Sequence, residues 1–241
     1  MTTIRNNLQS VHERVAAACA GAARNVNEVT LLAVSKTFGP EAVREAHAGG
    51  QLAFGENYIQ EAVEKIALLR ELPLQWHCIG PVQSNKTRLV ATHFDWVHTI
   101  DRLKIAQRLS EQRPPELAPL QVMIQVNTDG GPTKAGVTPR DALALAREVL
   151  QLPRLRLRGL MTIPQPAGDF ASQRALHLRA RLLLEQLNQA GLELDTLSMG
   201  MTGDLEAAID AGSTLVRIGT AVFGGRPVKD ATFSAPAGPA A

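Results

Sequence analysis

Hydrophobic and polar positions follow two alternating periods along this chain of 241 residues. Short apolar runs, typical of buried strands, are each followed by a segment whose apolar positions recur every third or fourth residue, as in an amphipathic helix. The predicted strands are 31–36, 52–54, 76–79, 96–100, 122–126, 157–163, 197–199 and 215–218. The predicted helices are 41–48, 59–69, 85–92, 102–112, 139–150, 172–190 and 205–211, and a leading helix within residues 1–20 precedes them. Asp101 is expected to cap the helix at 102–112.

The strict alternation of strands and helices predicts parallel strands, because each crossover between parallel strands needs a helix. Eight such units after one leading helix predict a closed (β/α)₈ TIM barrel, formed by residues 1–226 as a single domain. An open doubly wound sheet is the alternative, and it usually carries a glycine-rich turn after its first strand. Here the first strand is followed by Lys36-Thr37-Phe38-Gly39-Pro40, which has no such turn. Residues 227–241 show no periodic pattern and are predicted to be a disordered tail.

Composition narrows the class of protein further. The net charge is only +2, so charge does not indicate a nucleic-acid partner. No apolar run approaches the roughly 20 residues that span a bilayer, and residues 1–10 lack the apolar region of a secretory signal. Cys19 and Cys78 lie in apolar surroundings and are expected to be buried free thiols rather than a disulfide. These features predict a cytoplasmic protein.

In a TIM barrel, ligand groups come from the carboxyl ends of the strands. This rule selects the following polar or glycine positions: Lys36, Glu56, Asn57, His77, Asn127, Thr162, Ser198, Arg217, Gly219 and Thr220. A lysine at such a strand end is partly desolvated, which lowers its pKa and makes its amine a nucleophile towards aldehydes. A strand-end lysine that only extends to solvent is the alternative.

The last two strand ends are typical of a phosphate site. Glycines and hydroxyls follow both strands, in 198–204 and 218–221, and barrel phosphate sites lie at these loops. Ordinary βα turns use the same residues, so this pattern alone leaves both interpretations open. Arg217 interrupts an apolar strand and needs an acceptor inside the barrel mouth. Together, Lys36, Arg217 and these loops match the aldehyde, the ring nitrogen and the phosphate of pyridoxal 5′-phosphate (PLP).

Other chemistries find little support. The six histidines and two cysteines show no metal-binding spacing, and no nucleophile elbow or Walker motif is present. His77, on an apolar strand, is more typical of a hydrogen-bonded core histidine than of a functional one.

At the level of whole segments the chain resembles the pyridoxal phosphate homeostasis proteins, a family of PLP-binding proteins. The matching segments are 33–37, 54–61, 76–86, 157–161, 197–201 and 217–220, and the resemblance covers nearly the whole chain except the tail. It implies a barrel like the N-terminal domain of alanine racemase, with PLP bound covalently to Lys36. It also implies phosphate contacts at Ser198, Gly219 and Thr220, Arg217 near the cofactor, and further contacts at Thr202 and Asn57.

The resemblance implies a carrier that holds PLP as a Schiff base and acts in intracellular PLP homeostasis, and indirectly in amino-acid and keto-acid balance. Apo PLP-enzymes are the expected recipients, and a monomer is the expected state. Two enzymatic alternatives remain open: an amino-acid racemase of low activity, and a Schiff-base aldolase that uses Lys36 without PLP. Racemisation needs a second acid/base group, which in the racemases is usually a tyrosine from a separate domain. This chain has one tyrosine, Tyr58, in the loop after the second strand, so no catalytic activity is expected.

Overall fold

The structure is a computed structural model, and it describes residues 3–131 and 135–225. The predicted tail at 227–241 lies outside these residues. Eight parallel strands form a closed barrel in chain order, with β1 hydrogen-bonded to both β2 and β8. The strands are β1 Thr30–Val34, β2 Ala53–Glu56, β3 Gln75–Cys78, β4 Trp96–Ile100, β5 Leu120–Gln125, β6 Leu155–Met161, β7 Thr196–Ser198 and β8 Leu215–Ile218. The predicted TIM barrel is confirmed, and the open-sheet alternative is wrong.

Helices surround this barrel. Those described are α1 Ile4–Gly21, α2 Pro40–Ala48, α3 Ile59–Leu68, α4 Thr87–His93, α5 Leu103–Gln112, α6 Pro139–Leu150, α7 Phe170–Gln189, α8 Leu205–Asp210 and α9 Thr220–Phe223. The leading helix α1 packs beside α8 and α9, where Asn7 donates to the Val222 carbonyl at 3.0 Å. The four-residue α9 directly after β8 was not predicted, because its apolar residues continue those of the strand.

The predicted cap of α5 is wrong. Arg102 occupies the N-cap position, and its side chain makes no capping hydrogen bond. The Asp101 carboxylate instead accepts from the Arg102 guanidinium at 2.8 Å, because charge pairing competes with capping for the same oxygen atoms. The chain before α4 also differs from prediction, since residues Ser84–Lys86 form a separate 3-10 turn.

The buried hydrophobic residues form one large cluster and two small ones. The larger lies between the strands and the helices, and includes Phe54 and both cysteines, which are buried free thiols as predicted. Two smaller clusters occupy the barrel interior, formed by Leu32, Ala53 and Leu215 and by Trp96, Met123 and Met161. Among the described residues, no helix combines the length and apolar character needed to cross a membrane.

Candidate cofactor site

A cavity of about 340 Å³ opens at the carboxyl ends of the strands, where the barrel rule places ligands. Six of the seven sequence-predicted site residues line it: Lys36, Asn57, Thr202, Arg217, Gly219 and Thr220. They come from the carboxyl ends of four strands, β1, β2, β7 and β8, so only the closed barrel brings them together. The rest of the wall is formed by Val34, Thr37, Phe38, Ile79, Ile163, Met201, Gly203 and Gly224.

Lys36 lies two residues beyond the end of β1 and is half-buried. The residues on either side of it are held by a buried polar group that sequence analysis did not find. Lys65 of α3 donates to the Ser35 carbonyl at 3.0 Å and to the Glu56 carboxylate at 2.7 Å. Ser35 also donates through its hydroxyl to Glu56 at 2.6 Å. We call these residues, together with Glu61, the Lys65 cluster.

The Lys65 cluster also holds the residue after Lys36. Glu61 accepts from the Thr37 backbone N–H at 3.0 Å, and its carboxylate lies 3.5 Å from the Lys65 ammonium. Thr37 has a φ of 69°, a left-handed conformation that costs energy for a residue with a Cβ atom. The Glu61 hydrogen bond helps to offset that cost, so the turn carrying Lys36 is fixed on both sides.

Asn57 is placed by a close approach of two loops. A Cβ atom on Gly80 would lie 2.3 Å from the Asn57 carbonyl oxygen, so the loop after β3 can pack there only with glycine. Thr99 donates to the Gly80 carbonyl at 2.7 Å and holds this loop from the next strand. The Asn57 backbone is therefore held against this loop at the cavity wall.

Arg217 provides the positive charge of the cavity. It is 5% exposed and donates to the Ser198 hydroxyl at 2.7 Å and to the Thr162 carbonyl at 2.9 Å. These are the acceptors that sequence analysis required inside the barrel mouth. Burial lowers the pKa of Arg217 to about 10, against the opposing effect of the Asp204 carboxylate, so the guanidinium stays charged at neutral pH.

Ser198 differs from the other predicted site residues. It is fully buried at the end of β7 and does not line the cavity. Its hydroxyl points into the barrel interior, where it contacts Arg217 and the His98 Nδ1 atom at 3.0 Å. The structure thus places Ser198 beneath the cavity, and a phosphate contact there remains a prediction.

The loop after β7 is held by Asp204. Its carboxylate accepts from the Met201 backbone N–H at 2.6 Å and from the buried His177 ring at 2.9 Å. Burial opposes ionisation of Asp204, but the hydrogen bonds from His177 and Met201 outweigh it and lower the pKa of this carboxyl. Gly200, at a φ of 95°, turns the loop, and a Cβ atom there would lie 2.5 Å from the Ala208 side chain.

The cavity suits a flat, partly polar, anionic ligand. Two of its lining side chains have buried oxygen atoms without a hydrogen-bond partner among the described residues, namely Thr37 Oγ1 and Asn57 Oδ1. Phe38, stacked on Phe223 with ring centroids 5.1 Å apart, helps to form the apolar part of the wall. The charge of Arg217 and the glycine-containing loops after β7 and β8 favour an anion. These features fit PLP.

Four other sequence candidates lie elsewhere. Glu56 is buried in the Lys65 cluster, and His77 is buried in the barrel with both ring nitrogens hydrogen-bonded. Asn127 stabilises its own turn, where its side chain binds Gly130 and Gly131. Tyr58 is 53% exposed and is not part of the cavity wall.

Comparisons with known proteins agree with this geometry. The family model described as alanine racemase, N-terminal domain, matches residues 3–227. The pyridoxal phosphate homeostasis protein of Pseudomonas aeruginosa is 59% identical over 226 residues, which cover 94% of this chain and 97% of that protein. The chain belongs to the pyridoxal phosphate homeostasis protein family. The predicted resemblance is thereby confirmed.

Two solved structures place the family in a wider context. PipY of Synechococcus elongatus, solved with PLP bound, is 39% identical with a TM-score of 0.77, and the match covers 87% of this chain and 100% of that chain. An alanine racemase of Clostridium difficile has a TM-score of 0.72 at 16% identity, over 93% of this chain and 58% of that chain. The second likeness shows the fold alone, and it confirms that this chain has the racemase barrel.

Proposed function

We propose that this protein binds PLP in the cavity, as a Schiff base on Lys36, and acts in intracellular PLP homeostasis. The observation that carries the proposal is the meeting of Lys36, Arg217 and the loop at Gly219 and Thr220 around one cavity. The Pseudomonas relative, a pyridoxal phosphate homeostasis protein, and the PLP bound to PipY support the same ligand.

When bound, PLP supplies an aldehyde that condenses reversibly with amines, together with an acidic phosphate and a ring nitrogen. Lys36 binds it by condensation of the side-chain amine with the aldehyde carbon, which forms a C=N bond and releases water. The turn held by the Lys65 cluster fixes the direction from which the Lys36 amine approaches. Gly219, Thr220 and Thr202 hold the phosphate, and Asn57 supplies a further polar contact.

Arg217 faces the ring nitrogen in this proposal. A guanidinium has five N–H donors and no acceptor, and the bonds to Ser198 and Thr162 account for two of them. With a pKa of about 10, Arg217 remains a donor and leaves the ring nitrogen unprotonated at neutral pH. An unprotonated ring withdraws electrons weakly, which disfavours reactions that depend on a strong electron sink.

A carrier fits this site better than an enzyme. Racemisation needs a second acid/base group on the face of the ligand opposite the lysine, and Tyr58 is exposed outside the cavity wall. Catalysis also gains from a site that excludes water, whereas this cavity opens to solvent at the barrel mouth. We therefore propose a monomeric carrier that delivers PLP to apo-enzymes and affects amino-acid and keto-acid balance indirectly.

The test of PLP binding uses the absorbance of the purified protein. We expect a yellow protein whose chromophore is fixed by borohydride onto a peptide that contains Lys36. Lys36→Ala should abolish the chromophore, while Lys104→Ala, at an exposed position of α5, should keep it. A wild-type protein that binds added PLP no better than Lys36→Ala would refute the proposal.

The carrier role is tested by transfer. Holo-protein mixed with an apo PLP-enzyme should activate that enzyme, and Lys36→Ala mixed with the same enzyme should not. Loss of optical rotation from L-alanine at a rate comparable to a dedicated racemase would instead assign an enzyme. A colourless protein that cleaves a sugar phosphate through Lys36 would assign an aldolase.

A further inference from the structure

A continuous line of polar side chains runs through the barrel interior below Arg217. The Ser198 hydroxyl lies 3.0 Å from His98 Nδ1, and His98 Nε2 lies 2.9 Å from His77 Nδ1. His77 Nε2 lies 3.0 Å from the Gln75 amide oxygen. We call the side chains of Ser198, His98, His77 and Gln75 the axial chain. It crosses from β7 through β4 to β3, so the barrel alone brings its members together.

The two histidines of the axial chain are buried in the barrel. His98 is fully buried and His77 is 1% exposed, and the His77 ring stacks on Trp96 with centroids 5.2 Å apart. Burial lowers the pKa of His77 to about 3. Burial, and then the electrostatic effects of the His77 ring and of the Arg217 guanidinium, also hold the pKa of His98 well below its ordinary value. Both rings are therefore neutral at pH 7, and each carries one ring proton.

The direction of donation follows from the Gln75 end of the axial chain. The Gln75 amide oxygen can only accept, so the neutral His77 ring carries its one proton on Nε2 and donates to this oxygen. The unprotonated His77 Nδ1 then accepts from His98 Nε2–H, which leaves His98 Nδ1 without a proton. The Ser198 hydroxyl therefore donates to His98 Nδ1, and its oxygen accepts from Arg217, which has no acceptor. This arrangement satisfies every hydrogen bond in the axial chain.

The lower end of the axial chain reaches a second cavity. Gln75, His77 and Trp96 line a cavity of about 740 Å³ at the amino-terminal end of the barrel. Gln75 is exposed and lies far from the cofactor cavity, so a substitution there can test the axial chain without touching that cavity.

We propose that the axial chain is a positioning device for Arg217. The two neutral histidines, each in the Nε2–H tautomer, hold the Ser198 hydroxyl so that its lone pair faces the guanidinium. Arg217 then presents its remaining N–H groups to the cavity in one orientation. His98 acts through Ser198 and touches no ligand. The inference rests on the proposed function only where Arg217 is taken to face PLP.

The tautomers are measured by long-range ¹H–¹⁵N NMR on the full chain without PLP, with histidine labelled and signals assigned by His77→Gln and His98→Gln. We expect both rings neutral with Nε2 protonated between pH 6 and 8, a range in which an unperturbed histidine with a pKa of about 6.5 changes charge. A charged His98, or a proton on His98 Nδ1, would overturn the proposal. Because no PLP is present, this result does not depend on the proposed function.

A substitution at Gln75 tests whether the hydrogen bonds of the axial chain are coupled to one another. Gln75→Leu removes the last acceptor and should shift the Nε2 signals of both His77 and His98. Gln9→Leu makes the same change at an exposed position of α1, outside the axial chain, and should leave both signals in place. Equal shifts in the two variants would show a general disturbance of the barrel and contradict a connected chain.

The positioning role is tested by PLP affinity. His98→Leu leaves Ser198 without its acceptor and should weaken binding about tenfold, the size of one net hydrogen bond. His98→Gln keeps an acceptor and should restore most of the affinity. Ser198→Ala combined with His98→Leu should weaken binding no further than Ser198→Ala alone. Equal losses in His98→Leu and His98→Gln, or additive losses in the double variant, would refute the role of Ser198 as the link.

Discussion

Replacing Lys65 by methionine should destabilise the fold strongly and in a pH-dependent way. Methionine keeps most of the volume of the side chain but removes the ammonium, which is 2% exposed beside a fully buried Glu56 carboxylate. Two hydrogen bonds, to Ser35 and Glu56, are lost with it. Removing one partner of a buried ion pair typically costs about 3–5 kcal/mol, because the remaining charge has no compensation. We expect a loss of that size at pH 8.

The pH dependence follows from the remaining carboxyl. Burial already raises the pKa of Glu56, against the lowering effects of Lys65 and Ser35, and one carboxylate oxygen has no hydrogen-bond partner among the described residues. A carboxyl whose pKa is higher in the folded than in the unfolded state costs stability as pH rises through the folded pKa. Without Lys65 the pKa of Glu56 rises further, and each additional pKa unit adds about 1.4 kcal/mol to the cost of ionising Glu56 in the folded protein. The penalty of Lys65→Met should therefore be smaller at pH 5.5 than at pH 8.

Urea denaturation of the full chain at both pH values measures these free energies. Lys65→Met with Glu56→Gln should recover stability relative to Lys65→Met alone at pH 8, because the uncompensated charge is gone. Lys104→Met, on the exposed face of α5, is the matched control and should change stability by at most about 0.5 kcal/mol. A loss that is equal at both pH values, with strictly additive effects in the double variant, would show that packing and not charge explains the role of Lys65.

Three further outcomes are expected. Gly80→Ala should lower stability by about 1–3 kcal/mol and weaken PLP binding, because its Cβ atom would lie 2.3 Å from the Asn57 carbonyl oxygen. The control Gly21→Ala has open space around it and should not destabilise the protein in the same urea titration. Asp204→Asn should lower the free energy of unfolding by about 1–3 kcal/mol at pH 7. Because the pKa of Asp204 is lowered in the fold, this loss should shrink as pH falls below about 4, and a loss independent of pH would contradict the role of the carboxylate. Cys78, whose pKa burial raises to about 12, should react with a thiol reagent at pH 8 only as fast as the protein opens, so labelling at the rate of a free thiol would refute its burial.

The periodic pattern of the sequence was sufficient for the barrel and for most of the cavity. The rule that ligand groups follow the carboxyl ends of strands selected Lys36 and Arg217, because both residues break an apolar run at such an end. The predicted positions of the strand ends were less accurate. β1 ends at Val34 and not at Lys36, and the chain turns at Thr37, which has a left-handed conformation.

The buried polar groups could not be predicted from local pattern. Lys65 and Glu61 are spaced four residues apart on α3, which is typical of a solvated helix face, yet Lys65 is buried because Glu56 reaches it from β2. His98 lies 100 residues from Ser198, and nothing near either residue indicates the other. The inward alternation along β4, shared by Trp96 and His98, was the available signal for a polar group inside the barrel.

The Lys65 cluster and the axial chain support different residues of the cofactor cavity. The Lys65 cluster holds the turn of Lys36, which is proposed to anchor the aldehyde, and it is charged, so a change in the protonation of Glu56 alters it. The axial chain holds Arg217, proposed to face the ring nitrogen, and it is neutral because burial keeps both histidines uncharged. Protonation of Glu56 should therefore affect the proposed covalent anchor and leave the ring contact in place. Such a site can change how readily it releases its ligand while it keeps the ligand's orientation, which is the behaviour a carrier needs.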